Sequence, residues 1–208
     1  MRYYLMIFIS FVICLNVTLA LRNRLKKKGG DYIDEERMAN YARKRDIGPE
    51  LFFTADLSVL PLREKETAGE SLYKRQSEAV ARAGKKMIRF ERRMTNRELK
   101  LSYGAGSLEL IAQYEENYNG YIRCLINWGE ELFNNNEIGD ARRVLEEAVK
   151  SGSRFERGYK LLGGILVSQA DHEGLDRLRE TVSQMDFFDE GEVYKRQILS
   201  SLAGDEKA

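Results

Sequence analysis

Apolar residues fall into two regimes along this chain: one unbroken run near the N-terminus, then a long series recurring every three or four positions. The run extends from Tyr3 to Leu21 and contains no charged side chain. At 1.5 Å per residue it makes a helix of roughly 28 Å, close to the hydrocarbon thickness of a bilayer. A helix is the form such a run takes in lipid, because it satisfies its own backbone polar groups. Tyr3 and Tyr4 stand where an interfacial aromatic belt belongs, and Ser10, Asn16 and Thr18 dilute the apolar character only modestly. The run therefore predicts a transmembrane anchor.

Arg22, Arg24, Lys26, Lys27 and Lys28 follow at once, against only Arg2 on the other side. That asymmetry retains the C-terminal flank in the cytoplasm. The same five residues are candidates for contact with anionic lipid headgroups. A topology signal alone also accounts for them, and neither reading needs a nucleic-acid partner. The rival reading is a cleaved signal peptide. Thr18-Leu19-Ala20 is a poor small-x-small site, and the positive charge beyond it opposes export. Cys14 follows Ile13 rather than a small residue, which excludes a lipoprotein signal.

Beyond Gly29-Gly30 the pattern becomes that of amphipathic helices. Asp34 to Arg43 begins acidic and ends basic, as the helix dipole favours, and Gly48-Pro49 stops it. Leu51 to Leu62 is apolar without a clean period, so a short strand or an irregular packed segment is expected. Glu64 to Ala83 reads as helix. Arg82, Lys85, Lys86, Arg89, Arg92 and Arg93 make a basic patch around Met87 to Phe90. No stacking aromatics accompany it, so a solvated connector is the expectation over an anion site. Thr95-Asn96-Arg97-Glu98 matches a capping box, predicting a helix to about Tyr103. Gly104-Ala105-Gly106 then reads as a turn, with Ser107 able to cap the next helix. From Leu108 to Leu132 apolar and aromatic residues recur at helical spacing, and Gly120 is expected to bend or divide that helix. The aromatics from Tyr114 to Trp128 read as core, with a binding surface as the alternative.

Leu125, Trp128, Gly129 and Leu132 place large, large, small and large residues on one helix. Ala141, Leu145 and Ala148 place small, large and small on the next. Small residues let the two backbones approach while Trp128 and Leu145 fill the space beside them. This arrangement over Ile122 to Ser153 resembles one tetratricopeptide repeat, a helical hairpin with a period of about 34 residues. The usual closing proline is replaced by Ser153, and Gly152 can end the helix instead. The pattern returns, weakened, at Tyr159, Leu162, Gly163 and Leu166. Leu175, Arg179 and Val182 then stand at the second-helix positions, with Arg179 in the large apolar one. A shifted register is expected there. Glu192 to Leu202 reads as a capping helix. Fewer than three repeats leave a core open, so the helices before Ile122 are expected to complete the stack. The resemblance implies a concave groove lined by first helices, and points to Asn127, Glu130, Glu131, Asn134 and Asn135 as groove positions.

Composition adds constraints. The chain has 208 residues, enough for one soluble domain beyond the anchor, and its 32% charged content suits water-exposed helices. Two cysteines make no disulfide framework, and a single histidine, His172, excludes a multi-histidine metal site. Adjacent carboxylates such as Glu115-Glu116, Glu130-Glu131 and Glu146-Glu147 diverge on a helix and read as solvated faces. No P-loop, dinucleotide fingerprint, nucleophile elbow or metal-ligand spacing appears, so neither catalysis nor a cofactor is expected.

The sequence thus predicts an all-α chain. Its expected parts are an anchor over 1–21, a basic juxtamembrane segment and linker over 22–63, a packing segment over 64–121 and tetratricopeptide-like hairpins over 122–203. The expected role is a membrane-tethered adaptor that binds a protein or peptide in the cytoplasm of a bacterial cell. The alternatives are an exported, wall-facing helical protein and an enzyme whose site is not recognisable.

Overall fold

The hairpin pattern dominates the computed structural model, which describes residues 16–21, 34–185 and 191–204. Most of the expected anchor, and all of Arg22, Arg24, Lys26, Lys27 and Lys28, lie outside the described residues. Residues 16–21 are helical. Among the described residues no helix is long and apolar enough to cross a membrane.

In chain order the elements begin with helix α1 over residues 34–40 and strand β1 (Phe52–Phe53). Helices α2 (Lys65–Ala68) and α3 (Glu70–Ala83) precede strand β2 (Met87–Ile88). Then come α4 (Asn96–Tyr103), α5 (Leu108–Asn134), α6 (Ile138–Lys150), α7 (Glu156–Ser168), α8 (His172–Gln184) and α9 (Gly191–Gly204). The architecture is all-α apart from the two-residue antiparallel pair of β1 and β2. The chain forms two compact units, one from the residues up to Asp46 with Met94–Leu108, the other from Ile47–Arg93 with Glu109 onward.

In the first unit α4 opens with the expected capping box: the Thr95 hydroxyl accepts the Glu98 N–H, and the Glu98 carboxylate accepts the Thr95 N–H at 2.7 Å. Glu35 and Glu36 on α1 form ion pairs with Arg97 and Lys100 on α4. Gly104 ends α4 at φ +83, a conformation only glycine adopts freely. Ser107 does not cap α5 as expected: its hydroxyl is buried and makes no hydrogen bond, because a 3-10 turn over Ala105–Ser107 carries the chain straight into the helix.

In the second unit the apolar segment without a period resolves into two 3-10 turns and β1, whose Phe53 ring meets Tyr118 edge-on at 5.2 Å. Helix α5 runs unbroken for 27 residues. Gly120 does not divide it; a Cβ there would lie 2.8 Å from the Arg82 guanidinium, so the α3 side chain lies over the glycine. Ser71 donates its hydroxyl to Glu131, at the other end of the same antiparallel crossing. α3 thus covers α5 ahead of the hairpins, and Leu72 and Ala79 enter the common core with Trp128, Leu145, Leu162 and Leu202.

The hairpins repeat in step. The only non-glycine residues with positive φ among those described are Asn136 (+62) and Ala170 (+53), 34 positions apart. Around them the backbone bonds correspond. Asn136 N–H donates to the Phe133 carbonyl at 2.9 Å and Ala170 N–H to Val167 at 3.0 Å; Glu137 donates to Leu132 and Asp171 to Leu166, both at 2.9 Å. α6 and α8 are each 13 residues long and also start 34 positions apart.

The second hairpin keeps this frame, so the expected shift of register does not occur, and it is the filling that changes. In the first, the Gly129 face receives Leu145. In the second, Gly163 receives Leu202 of α9 together with Leu178, while half-buried Arg179 pairs with Asp176 and donates to the Leu202 carbonyl. The burial that Arg179 cannot supply comes from its neighbour and from the terminal helix.

Ala170 occupies the left-handed region without glycine's freedom or asparagine's local hydrogen bonding, at a cost of about 1–2 kcal/mol. Ala170→Gly should therefore raise stability by about 0.5–1 kcal/mol, part of the relief being offset by a floppier unfolded chain. The fluorescence of Trp128, the single tryptophan, reports this in urea as a higher midpoint at unchanged slope.

Candidate functional site

Each hairpin turn is clasped by an arginine from an earlier segment. In the first turn Arg63 pairs with Glu137 at 2.6 Å and with Asp140. The Arg63 backbone is itself fixed by buried Gln76, whose amide accepts its N–H at 2.9 Å and donates to its carbonyl at 2.8 Å. In the second turn Arg142 donates to Asp171 at 2.6 Å, to Gln169 at 2.7 Å and to Glu146 at 2.7 Å. Asp171 also caps α8 by accepting the Gly174 N–H at 2.8 Å, and that bond, with Arg142, holds its carboxyl below the usual range.

The connection from α6 to α7 is secured differently. Gly152 at φ +90 ends α6, and the Ser153 N–H returns to the Ala148 carbonyl at 3.0 Å. Tyr118 donates to the Ser151 carbonyl at 2.8 Å, Arg89 to the same oxygen at 3.1 Å, and Tyr159 to Ser153. Burial pushes both phenols up from their ordinary values. Two of the buried tyrosines are thus core residues whose hydroxyls are consumed in holding a turn.

With the turns fixed, one face between the successive first helices α5 and α7 stays open. A depression of about 400 Å³ is lined there by Phe133, Glu156, Arg157, Lys160, Leu161 and Gly164. Phe133 is 39% exposed near the end of α5. Gly164 is exposed, and a Cβ placed on it would meet nothing within 4 Å, so it shapes open space rather than a contact. Charges are balanced along the rim: Arg157 pairs with Glu130 and Lys160 with Glu156. A second depression of about 330 Å³ has Leu162, Leu166 and Leu178 among its lining, but these leucines are already buried in helix packing.

The five groove positions suggested by the sequence do not share one surface. Glu130 and Asn127 both reach Arg157, Asn127 as an acceptor at 3.4 Å, and so border the depression. Glu131 turns instead to Ser71 on α3. Asn135 lies in the turn, where its amide donates to the Glu131 carbonyl at 2.7 Å, and Asn134 is exposed at the end of α5. Sequence reasoning placed the groove on the polar side of one helix and missed Phe133, Arg157, Lys160, Leu161 and Gly164. A signal was present in the Gly163-Gly164 pair: packing uses the first glycine, leaving the second without a structural task.

Reactive groups offer little. Burial pushes the Cys124 thiol up, away from the thiolate that nucleophilic work requires. His172 is exposed at the first position of α8. Among the described residues no three His, Cys, Asp or Glu side chains come together as metal ligands would. No protein-family model, curated protein or solved structure matches this chain.

Proposed function

We propose that this protein is a membrane-tethered, tetratricopeptide-like adaptor, with its helical units in the cytoplasm and a protein or peptide segment bound between α5 and α7. The observation that carries the hairpin reading is the 34-position recurrence of turn conformation and backbone bonding at Asn136 and Ala170. Stacked hairpins of this period present their first helices along one side, and here that side holds a depression with exposed Phe133 and half-buried Leu161. Apolar anchors inside a polar, charge-balanced rim suit a peptide that inserts a side chain and pairs its backbone and ends with the rim. The tether rests on the apolar run Tyr3 to Leu21, and the orientation on the basic run that follows it.

The test places a photo-crosslinking residue at Leu161 of the full-length chain in its native membrane, with a control probe at exposed Arg143. A discrete adduct is expected from position 161, absent from position 143, and lost in Gly164→Trp, whose side chain leaves the backbone where an added Cβ meets nothing within 4 Å. Adducts that survive Gly164→Trp, or appear equally from both probes, would overturn the groove assignment.

A further inference from the structure

The first unit carries an arrangement that its own packing leaves unexplained. α1 buries Ala39 completely, yet Met38 and Tyr41 are 62% and 82% exposed. Immediately after them Arg43, Lys44 and Arg45 are all exposed. Three consecutive cations in a loop would ordinarily be a mobile, solvated run. Here the backbone beneath them is held: the Arg45 N–H donates to the Tyr103 carbonyl at 3.0 Å. A Cβ on Gly104 would lie 2.7 Å from the Arg43 carbonyl oxygen and from the Lys44 backbone, so the two segments touch main chain to main chain.

The acids nearby are committed elsewhere. Glu35 and Glu36 are paired with Arg97 and Lys100 on α4, and Asp34 lies 3.6 Å from Arg37 within α1. Among the described residues Asp46, itself exposed, is the carboxylate next in sequence to the run. The result is a fixed cationic edge flanked by an exposed aromatic and an exposed thioether chain, a composition that matches the interfacial layer of a bilayer, at the boundary between phosphate headgroups and acyl chains.

We propose that Arg43, Lys44 and Arg45, with Tyr41 and Met38, dock on anionic phospholipid headgroups of the bilayer that holds the anchor. The inference rests on the tethered reading above. The covalent chain supplies proximity: twelve residues, 22–33, separate the apolar run from α1, and fully extended they span at most about 40 Å. A basic side chain held at an anionic surface gains roughly five-fold in binding, so three held together form a salt-sensitive second contact.

The experiment reconstitutes the full chain, with Cys14 and Cys124 replaced by serine and an environment-sensitive fluorophore on Tyr41→Cys, into two kinds of vesicle. One is phosphatidylcholine alone; the other is phosphatidylcholine mixed with phosphatidylglycerol. Co-flotation with both kinds, and a blue shift of the label only in the phosphatidylglycerol vesicles, is expected. The shift should vanish in high salt and in a chain carrying Arg43→Gln, Lys44→Gln and Arg45→Gln, which still co-floats. Co-flotation with identical emission in both vesicles overturns the docking surface and leaves the anchor standing. Failure to co-float overturns the anchor, and the docking surface with it.

Discussion

Trp128→Ala is expected to cost about 3–5 kcal/mol, a large share of the stability of a unit this size. Trp128 is 1% exposed, among the largest of the fully buried side chains. It belongs to the cluster that draws on α3, α5, α6, α7, α8 and α9, so its removal opens a cavity inside the shared core. Far-ultraviolet circular dichroism in urea measures the loss as a lower midpoint. Trp128→Phe, which keeps most of the ring volume, should lose far less. A cost below about 1 kcal/mol for the alanine variant would mean that the hairpins do not share one core through this position.

Gly129→Val should cost about 3 kcal/mol, although valine is a better helix former than glycine. The reason is Leu145. A Cβ on Gly129 would lie 2.7 Å from the Leu145 Cγ and 2.9 Å from its Cδ2, and Leu145 is fully buried with nowhere to move. Gly164→Val is the matched control. It makes the same substitution inside a neighbouring helix where the added group meets nothing, and should change stability by no more than about 0.5 kcal/mol. Combining Gly129→Val with Leu145→Ala should cost at least about 1 kcal/mol less than the sum of the single changes. Strict additivity in that cycle would show that the two residues do not meet across α5 and α6.

These two residues also mark how far the sequence could be read. Trp128, Gly129, Ala141 and Leu145 follow spacing rules set by helix geometry alone, so their pairing was legible from the chain itself. The same holds for the Thr95–Glu98 capping box and the Gly104 break. What could not be read depended on partners distant in sequence. Nothing local shows that Gly120 faces Arg82, that Phe52 and Phe53 pair with Ile88 and Met87, or that Leu202 takes over the position Arg179 cannot fill. The groove was half legible for the same reason. Glu130 could be placed on the polar side of α5, but its partner Arg157 and the opening beside Phe133 exist only once α7 is laid alongside.

The Arg63 clasp has a consequence for the timing of synthesis. Arg63 and Asp140 are 77 residues apart in the chain. A ribosome adding about 5–20 residues per second leaves Arg63 without its acidic partners for roughly 4–15 s. For part of that interval Leu60 and Met87, both in the finished core, wait for α5, and for all of it they wait for α6. The second hairpin turn waits less, since Arg142 and Asp171 are 29 residues apart. Of the turn contacts described, this clasp keeps the nascent chain waiting longest, and the wait ends when the start of α6 emerges.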